Sequence, residues 1–289
     1  MTYKKDVVLV LGASGMLGSA VFRVFVESSI FETVGLVRAR NAVQLFPQAI
    51  ASHLICGLNV ENLGGLASLF TKIRPQIVVN CIGLVKQLID TNNPLDVLPI
   101  NSLFPHYLAN LCEVAQVRLI HISTDCVFSG AKGLYTECDV ADANDLYGRS
   151  KYLGEVDYPN SVTLRTSIIG HELGAAHSLV AWFLSQEGSV NGFKRAIFSG
   201  LPTVEMARVI RDYVIPHPEL HGTYHVSAEP INKFDLLTLI AQIYGKVIDI
   251  KPDDQLVIDR SLDSTRFRHA TGFVPKSWPE LIRSMHEFG

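Results

Sequence analysis

The strongest constraint in this chain is Gly12-Ala-Ser-Gly15-Met-Leu-Gly18, placed directly after the apolar stretch 7–11. A short, continuous apolar run that ends in glycine reads as a strand buried on both faces. The segment 16–28 that follows is amphipathic, with Leu17, Val21, Val24 and Phe25 on one side. Strand, glycine turn and helix make the first half of a βαβ unit. In that setting Gly12, Gly15 and Gly18 permit a tight turn, close approach of backbone to a pyrophosphate and close helix–strand packing. The helix N-terminus, with Ser14, Met16 and Leu17 around it, offers free N–H groups and partial positive charge to phosphates. The plainer alternative is a glycine-rich turn with no ligand.

The pattern continues along the chain. Apolar strands are expected over 33–37, 53–56, 76–82, 117–122 and 162–164, and helical periodicity runs over 63–73 and 94–115. Alternating strands and helices imply an α/β fold: a Rossmann-type, doubly wound parallel sheet covered by helices on both faces. The later part is less regular. Helices are expected over 175–187, 204–214, 233–244 and 278–288, strands over 196–199 and 223–227, and mainly loop over 251–267. This predicts a domain over 1–168, with 196–215 added back to it. A smaller mixed α/β substrate-binding region would be built from 169–195 and 216–289.

With 289 residues, 48% of them hydrophobic, the chain can bury a large core. A net charge of -3 gives no electrostatic reason to expect nucleic acid or an anionic membrane as partner. No apolar run is long enough for a membrane span or a signal segment. The five scattered cysteines read as reduced thiols of a cytoplasmic protein. Neither they nor the histidines have ligand spacing, so no bound metal is expected.

The second strand bears on the cofactor's charge. Sites for NAD usually end this strand in a carboxylate that holds the ribose 2′-hydroxyl. Here it ends Val37-Arg38-Ala-Arg40, which suits a 2′-phosphate and so NADPH, with NADH still open. Two solvated surface arginines are the alternative. Asn59 and Val60, after the third strand, lie where adenine would sit, although Asn59 could equally be an ordinary loop residue. Cys81, Ile82 and Gly83 end the fourth strand, beside the cofactor on this reading. Downstream, Tyr147 and Lys151 are four apart, hence on one face of a helix. An ammonium there would lower the phenol pKa toward neutrality.

Five ordered strings, Gly-x-x-Gly-x-x-Gly, Asn80-Cys-Ile-Gly83, His121-Ile-Ser-Thr-Asp-Cys-Val-Phe128, Tyr147-Gly-Arg-Ser-Lys151-x-x-Gly-Glu155 and Leu164-Arg-Thr166, resemble the extended short-chain dehydrogenase/reductases. Within them the chain is most similar to the sugar-nucleotide reductases of the dTDP-4-dehydrorhamnose reductase type. The resemblance covers roughly the first 170 residues. It implies a catalytic trio of Thr124, Tyr147 and Lys151 that reduces the 4-keto group of a nucleotide-activated deoxysugar, with Thr124 and Asp125 facing the sugar. Three positions depart from that family's pattern: Cys126 replaces an aromatic residue, Ala143-Asn-Asp145-Leu precedes the tyrosine, and Ile168 replaces an aromatic residue against the sugar. They leave the trio intact and the sugar and base open.

Lys86 and Gln87 lie where a substrate could enter, or in a solvated loop. Asn101 could anchor a water near Lys151 or simply face solvent. Arg260 could clamp a nucleotide diphosphate or make a surface ion pair. His121 reads as structural. Two other functions remain: a non-catalytic NADP-binding subunit similar to the regulatory subunit of methionine adenosyltransferase, and an epimerase on the same scaffold. A dehydratase would need an acidic pair where Asp125-Cys126 stands. Monomer and homodimer are both compatible with the apolar helices.

Overall fold

The computed structural model describes residues 5–84, 93–174 and 178–289. Seven parallel strands form the central sheet: β1 Val7–Leu11, β2 Glu32–Val37, β3 Leu54–Cys56, β4 Ile77–Asn80, β5 Arg118–Thr124, β6 Ser161–Thr166 and, at the far edge, Gly222–His225. The order across the sheet is β3-β2-β1-β4-β5-β6 and then the Gly222–His225 strand. The order reverses between β1 and β4, which is where a doubly wound sheet opens a crevice at the carboxyl ends of its strands. One edge strand departs from expectation: Gly222–His225 falls within 216–289, assigned to the smaller region, yet it extends the central sheet by pairing with β6.

β1 is buried along its whole length, and a core lies on each face of the sheet. On one face Val8 and Val10 meet Phe22 and Phe25 of the Met16–Ser28 helix; the Thr203–Val209 and Trp278–Phe288 helices add Met206 and Ile282. On the other, Leu9 and Leu11 meet Leu66 and Phe70 of the Leu63–Ile73 helix and Leu108 of Phe104–Val114. Residues 94–114 run helically, as the periodicity predicts, with a π turn over Pro99–Leu103.

The segment 251–267 has the expected loops at 254–257 and 260–264, but it also carries regular structure. Asp249–Asp253 pairs in parallel with Ser189–Phe193, Ile258–Asp259 pairs with Ala196–Phe198, and Thr265–Thr271 is a helix. Proline and aspartate are poor strand formers, so tertiary pairing overrides local preference here. Ala196–Phe198 is the middle strand of a small sheet, flanked by Ile231–Asn232 and Ile258–Asp259. Among the described residues no helix is long and apolar enough to cross a membrane.

Two glycines govern where the Leu146–Leu153 helix sits. A Cβ on Gly148 would lie 2.2 Å from the Cys126 carbonyl oxygen, and one on Gly154 would lie 1.9 Å from that of Asn101. Both neighbours are backbone, so neither can move aside cheaply. Gly154→Ala is therefore expected to lower stability by about 1–3 kcal/mol through overpacking. Gly64→Ala, on the exposed side of a helix where a Cβ would meet Asn62 Oδ1 at an ordinary contact of 3.7 Å, should raise stability by about 0.5–1 kcal/mol. Urea midpoints of the two variants should move in opposite directions.

Candidate active site

Asp145 caps the Leu146–Leu153 helix, its carboxylate accepting from the Gly148 N–H at 2.8 Å. One turn separates Tyr147 from Lys151 on this helix. The buried Lys151 ammonium donates to the Ile122 carbonyl of β5 at 2.9 Å. Burial lowers its pKa to about 8, and the Glu155 carboxylate opposes that shift. Thr124 ends β5 beside Tyr147, and its hydroxyl acts on the phenol. Its Oγ1 also donates to Asp125 Oδ1 and accepts from the Cys126 N–H, both at 3.1 Å. Thr124, Tyr147 and Lys151 thus meet at the carboxyl end of β5.

The tyrosine does not behave as the pairing with lysine alone predicts. Burial pushes the Tyr147 phenol above its ordinary range, with Cys126 adding to the shift and the Thr124 hydrogen bond opposing it. Desolvation sets the direction of the shift, and the Lys151 ammonium, which donates to Ile122, does not reverse it. Tyr147 is held as a neutral phenol, which is the form that can give up a proton.

Behind the lysine, Asn101 is fully buried in the π turn. It neither faces solvent nor keeps its amide free for a water. Its Oδ1 accepts from the Leu84 N–H at 2.8 Å, and its Nδ2 donates to the Leu84 carbonyl at 3.1 Å and to Ser150 Oγ at 3.2 Å. This clamp sets the backbone after β4 against the helix of Lys151. A Cβ on Gly83 would lie 3.7 Å from both Asn101 Oδ1 and Lys151 Nζ, so Gly83 adjoins the lysine. Cys81, next to it, has its thiol pushed up to about 12 by burial. Lys86 and Gln87 lie outside the described residues.

The glycine turn sits across the crevice. Gly12 adopts φ +76°, and a Cβ on it would meet Ile82 Cγ1 at 3.0 Å. A Cβ on Gly18 would lie 2.1 Å from the Gly12 carbonyl oxygen, so the helix can start this close to β1 only with glycine there. Gly15 caps the Met16–Ser28 helix without a side-chain hydrogen bond, and its first turn holds no acid. Ser14 and Met16 are half-buried at this helix start, and Leu17 packs into the core. Arg38 and Arg40 are exposed at the end of β2. Asn59 is exposed and uses its amide locally, donating to Glu61 at 3.0 Å, while Val60 is buried in the core. These features fit a dinucleotide: a cradle that a side chain would fill, an open helix N-terminus and two cations at the second strand.

Asp125 faces the other side of Thr124. Burial raises its pKa, and the Arg260 guanidinium opposes that rise. Arg260 makes no surface ion pair among the described residues; it donates to the Phe128 carbonyl at 2.8 Å and approaches Cys126 Sγ at 3.6 Å. Cys126 thus adjoins the arginine and also acts on the tyrosine. Ile168, half-buried, lies in a two-residue strand just beyond β6. Lys233 also acts on Asp125 through its charge. Sequence reading missed it, since it stands in no motif; a lysine at the first position of a predicted helix, where the helix dipole disfavours cations, is the signal that was there.

Three motif residues, Glu155, Arg165 and His121, have structural roles. Glu155 and Arg165 form a buried bidentate ion pair, with bonds of 2.7 and 2.6 Å, and Ser123 Oγ donates to the same carboxylate at 2.7 Å. His121 is fully buried beside Asn80, at 3.0 Å, and its Nε2 has no hydrogen-bond partner among the described residues.

The family model described as RmlD substrate binding domain matches residues 6–287. The chain is 22% identical to a dTDP-4-dehydrorhamnose reductase of Aggregatibacter actinomycetemcomitans, over 97% of this chain and 98% of the relative. It is 27% identical to methionine adenosyltransferase 2 subunit beta of Danio rerio, over 82% of this chain and 74% of that one. Among solved structures, a dTDP-4-dehydrorhamnose reductase of Bacillus anthracis in complex with NADP superposes with a TM-score of 0.82 at 20% identity, covering 100% of both chains. A hypothetical dTDP-4-dehydrorhamnose reductase of Sulfolobus tokodaii gives 0.76 at 25% identity, over 94% of this chain and 97% of the other. A model match that spans nearly the whole length, on a fold shared end to end, assigns the chain to the RmlD substrate binding domain family.

Proposed function

We propose that this protein is an NADPH-dependent oxidoreductase that reduces the 4-keto group of a nucleotide-activated deoxysugar. The observation that carries the reading is a buried, neutral Tyr147 beside the Thr124 hydroxyl, one helical turn from the Lys151 ammonium. A ketone reduction needs hydride at carbon and a proton at oxygen. The chemistry that NADPH contributes, when bound, is the hydride. Tyr147 gives its proton to the carbonyl oxygen, and Thr124, turning its one O–H away from Asp125, donates a hydrogen bond to the same oxygen as charge grows on it. Lys151 then offsets the tyrosinate charge.

Gly12, Gly15 and Gly18 would cradle the pyrophosphate, and Arg38 would hold the 2′-phosphate. Cys81, Ile82 and Gly83 would line the nicotinamide side. On this reading residues 1–168 with 196–215 serve mainly the cofactor. Residues 169–195 and 216–289, apart from the edge strand, serve mainly the sugar, through Ile168, Asp125 and Arg260 at the boundary. The reductase and NADP named in the relatives support the assignment. A second reading, a non-catalytic subunit, draws on the similarity to methionine adenosyltransferase 2 subunit beta. The intact proton-donor geometry weighs against it.

The direct test is NADPH oxidation with a panel of dTDP- and UDP-linked 4-keto-6-deoxysugars. Tyr147→Phe should lower kcat about 10²–10⁴-fold while leaving the NADPH dissociation constant within about threefold of wild type. Turnover that survives this change, or absence of turnover with every sugar, would sink the reading. Arg38→Ser should weaken NADPH binding about 10–100-fold and leave NADH binding nearly unchanged, as loss of a charge-assisted phosphate contact requires. The pH profile follows from the lysine. Its cation is present below about pH 8 and lost above it, so kcat/KM should fall on the alkaline side of about 8. Lys151→Arg keeps its charge at all these pH values, so that limb should move to higher pH whatever the overall rate.

A further inference from the structure

Two cations carried by the small sheet act on one carboxylate. Its outer strands are Ile231–Asn232 and Ile258–Asp259, and the residue after each is a base: Lys233 and Arg260. Its middle strand ends in Phe198, and the Lys233 ammonium lies over that ring, 4.3 Å from its centroid. An aromatic face holds a cation in place without using its N–H groups. Arg260 is fixed differently, by the Phe128 carbonyl. Both interact with the Asp125 charge, yet among the described residues neither closes an ion pair with it.

Lys233 is costly where it stands. It is the first residue of the Lys233–Tyr244 helix, at the positive end of the helix dipole. The acid of that first turn, Asp235, is engaged by the Asn232 cap at 2.7 Å. Burial lowers the lysine pKa to about 8, and the Asp125 charge opposes that shift. A half-buried ammonium held on the Phe198 ring and a buried carboxylate that feels its charge without pairing with it match a group that donates and accepts at once. A hydroxyl is such a group; a methylene is not. The carboxylate belongs to the residue after Thr124 and accepts from its hydroxyl at 3.1 Å. A hydroxyl placed there is therefore a neighbour of the carbonyl that Thr124 and Tyr147 face.

We propose that Lys233 is a specificity-determining residue: its ammonium donates to, and the Asp125 carboxylate accepts from, the sugar hydroxyl on the carbon next to the ketone. The assignment rests on the keto-sugar reading above. It makes the site selective against sugars deoxygenated at that carbon, because such a ligand leaves two desolvated charges unpaired. Sites built around a substrate hydroxyl reject analogues that lack it by large factors.

The test compares wild type with Lys233→Met, using calorimetric binding of a dTDP-6-deoxyhexose and of its 3-deoxy counterpart, each with NADP present, together with turnover of the corresponding 4-keto sugars. Wild type should prefer the 3-hydroxy ligand by about 100-fold or more. Lys233→Met should retain the cofactor affinity of wild type and bind the two sugars within about threefold of each other. For the hydroxylated substrate the loss should appear in KM rather than in kcat. Unchanged discrimination in the variant overturns the proposal, as does a loss confined to kcat, which would mark Lys233 as a proton donor. Lys233→Gln keeps one donor and should fall between the two, which separates recognition from damage to the fold. Binding with the expected preference but no turnover leaves the lysine assignment standing and removes the reductase reading. Absence of sugar-nucleotide binding by wild type removes both.

Discussion

The site depends on how closely one short helix approaches two stretches of backbone. Gly148 and Gly154 bring the Leu146–Leu153 helix against the carbonyls of Cys126 and Asn101 at distances no side chain would allow. That contact sets the depth of Lys151, which reaches Ile122, and the height of Tyr147 over Thr124. It also places Ser150 within reach of Asn101, and Asn101 in turn holds Leu84. Three separate segments, the helix, the π turn and the backbone after β4, are thereby locked to one another. The π turn puts Asn101 where an unbroken helix would offset it, in line with the frequent appearance of such turns at functional sites.

Desolvation, not pairing, sets the protonation states around this contact. Burial raises Tyr147, raises Asp125 and lowers Lys151 and Lys233, and in each case it is the largest influence. The charges nearby oppose it at Asp125, Lys151 and Lys233 and add to it at Tyr147. A neutral phenol and a lysine whose proton is loosely held form a donor and a stabiliser that respond strongly to a small change in surroundings. The same burial makes the cysteines beside them inert as thiols, with Cys81 and Cys126 both pushed up to about 12.

Much of the fold was legible because its signals are local. The helices Met16–Ser28, Leu63–Ile73 and Lys233–Tyr244 end where their periodicity ends, at residues that close the last turn in the left-handed region: Ser29, Arg74 and Gly245. Val7–Leu11 is continuous and apolar because both of its faces are covered. Ser189–Phe193 and Asp249–Asp253 were not legible, because each exists only through a ladder to the other, some sixty residues away in sequence, and one contains Pro252. At the site, Thr124, Tyr147 and Lys151 stand within motifs and could be read off. The protonation of the tyrosine, the clamp made by Asn101 and the place of Lys233 depend on what packs around them, and spacing does not carry that.

The motif letters that chemistry does not use are explained by the sheet. Glu155 follows the tight glycine, and Arg165 lies on β6 opposite Ser123 of β5. All three meet in one buried ion pair, which continues through Arg165 to His225 at 3.2 Å, and from His225 to the Tyr135 carbonyl at 2.9 Å. Burial, then the arginine charge, lowers His225 to about 4, so this imidazole stays neutral and can accept from the guanidinium. A buried carboxylate and guanidinium offset each other's desolvation only when their remaining hydrogen bonds are met, and here serine, histidine and backbone meet them. The edge strand Gly222–His225, the helix end at Gly154 and the loop of Tyr135 are tied to β5 at the point where Thr124 emerges. A threonine and a tyrosine that must meet one carbonyl oxygen have their relative positions set by this pair, although neither of its charges touches the reacting atoms.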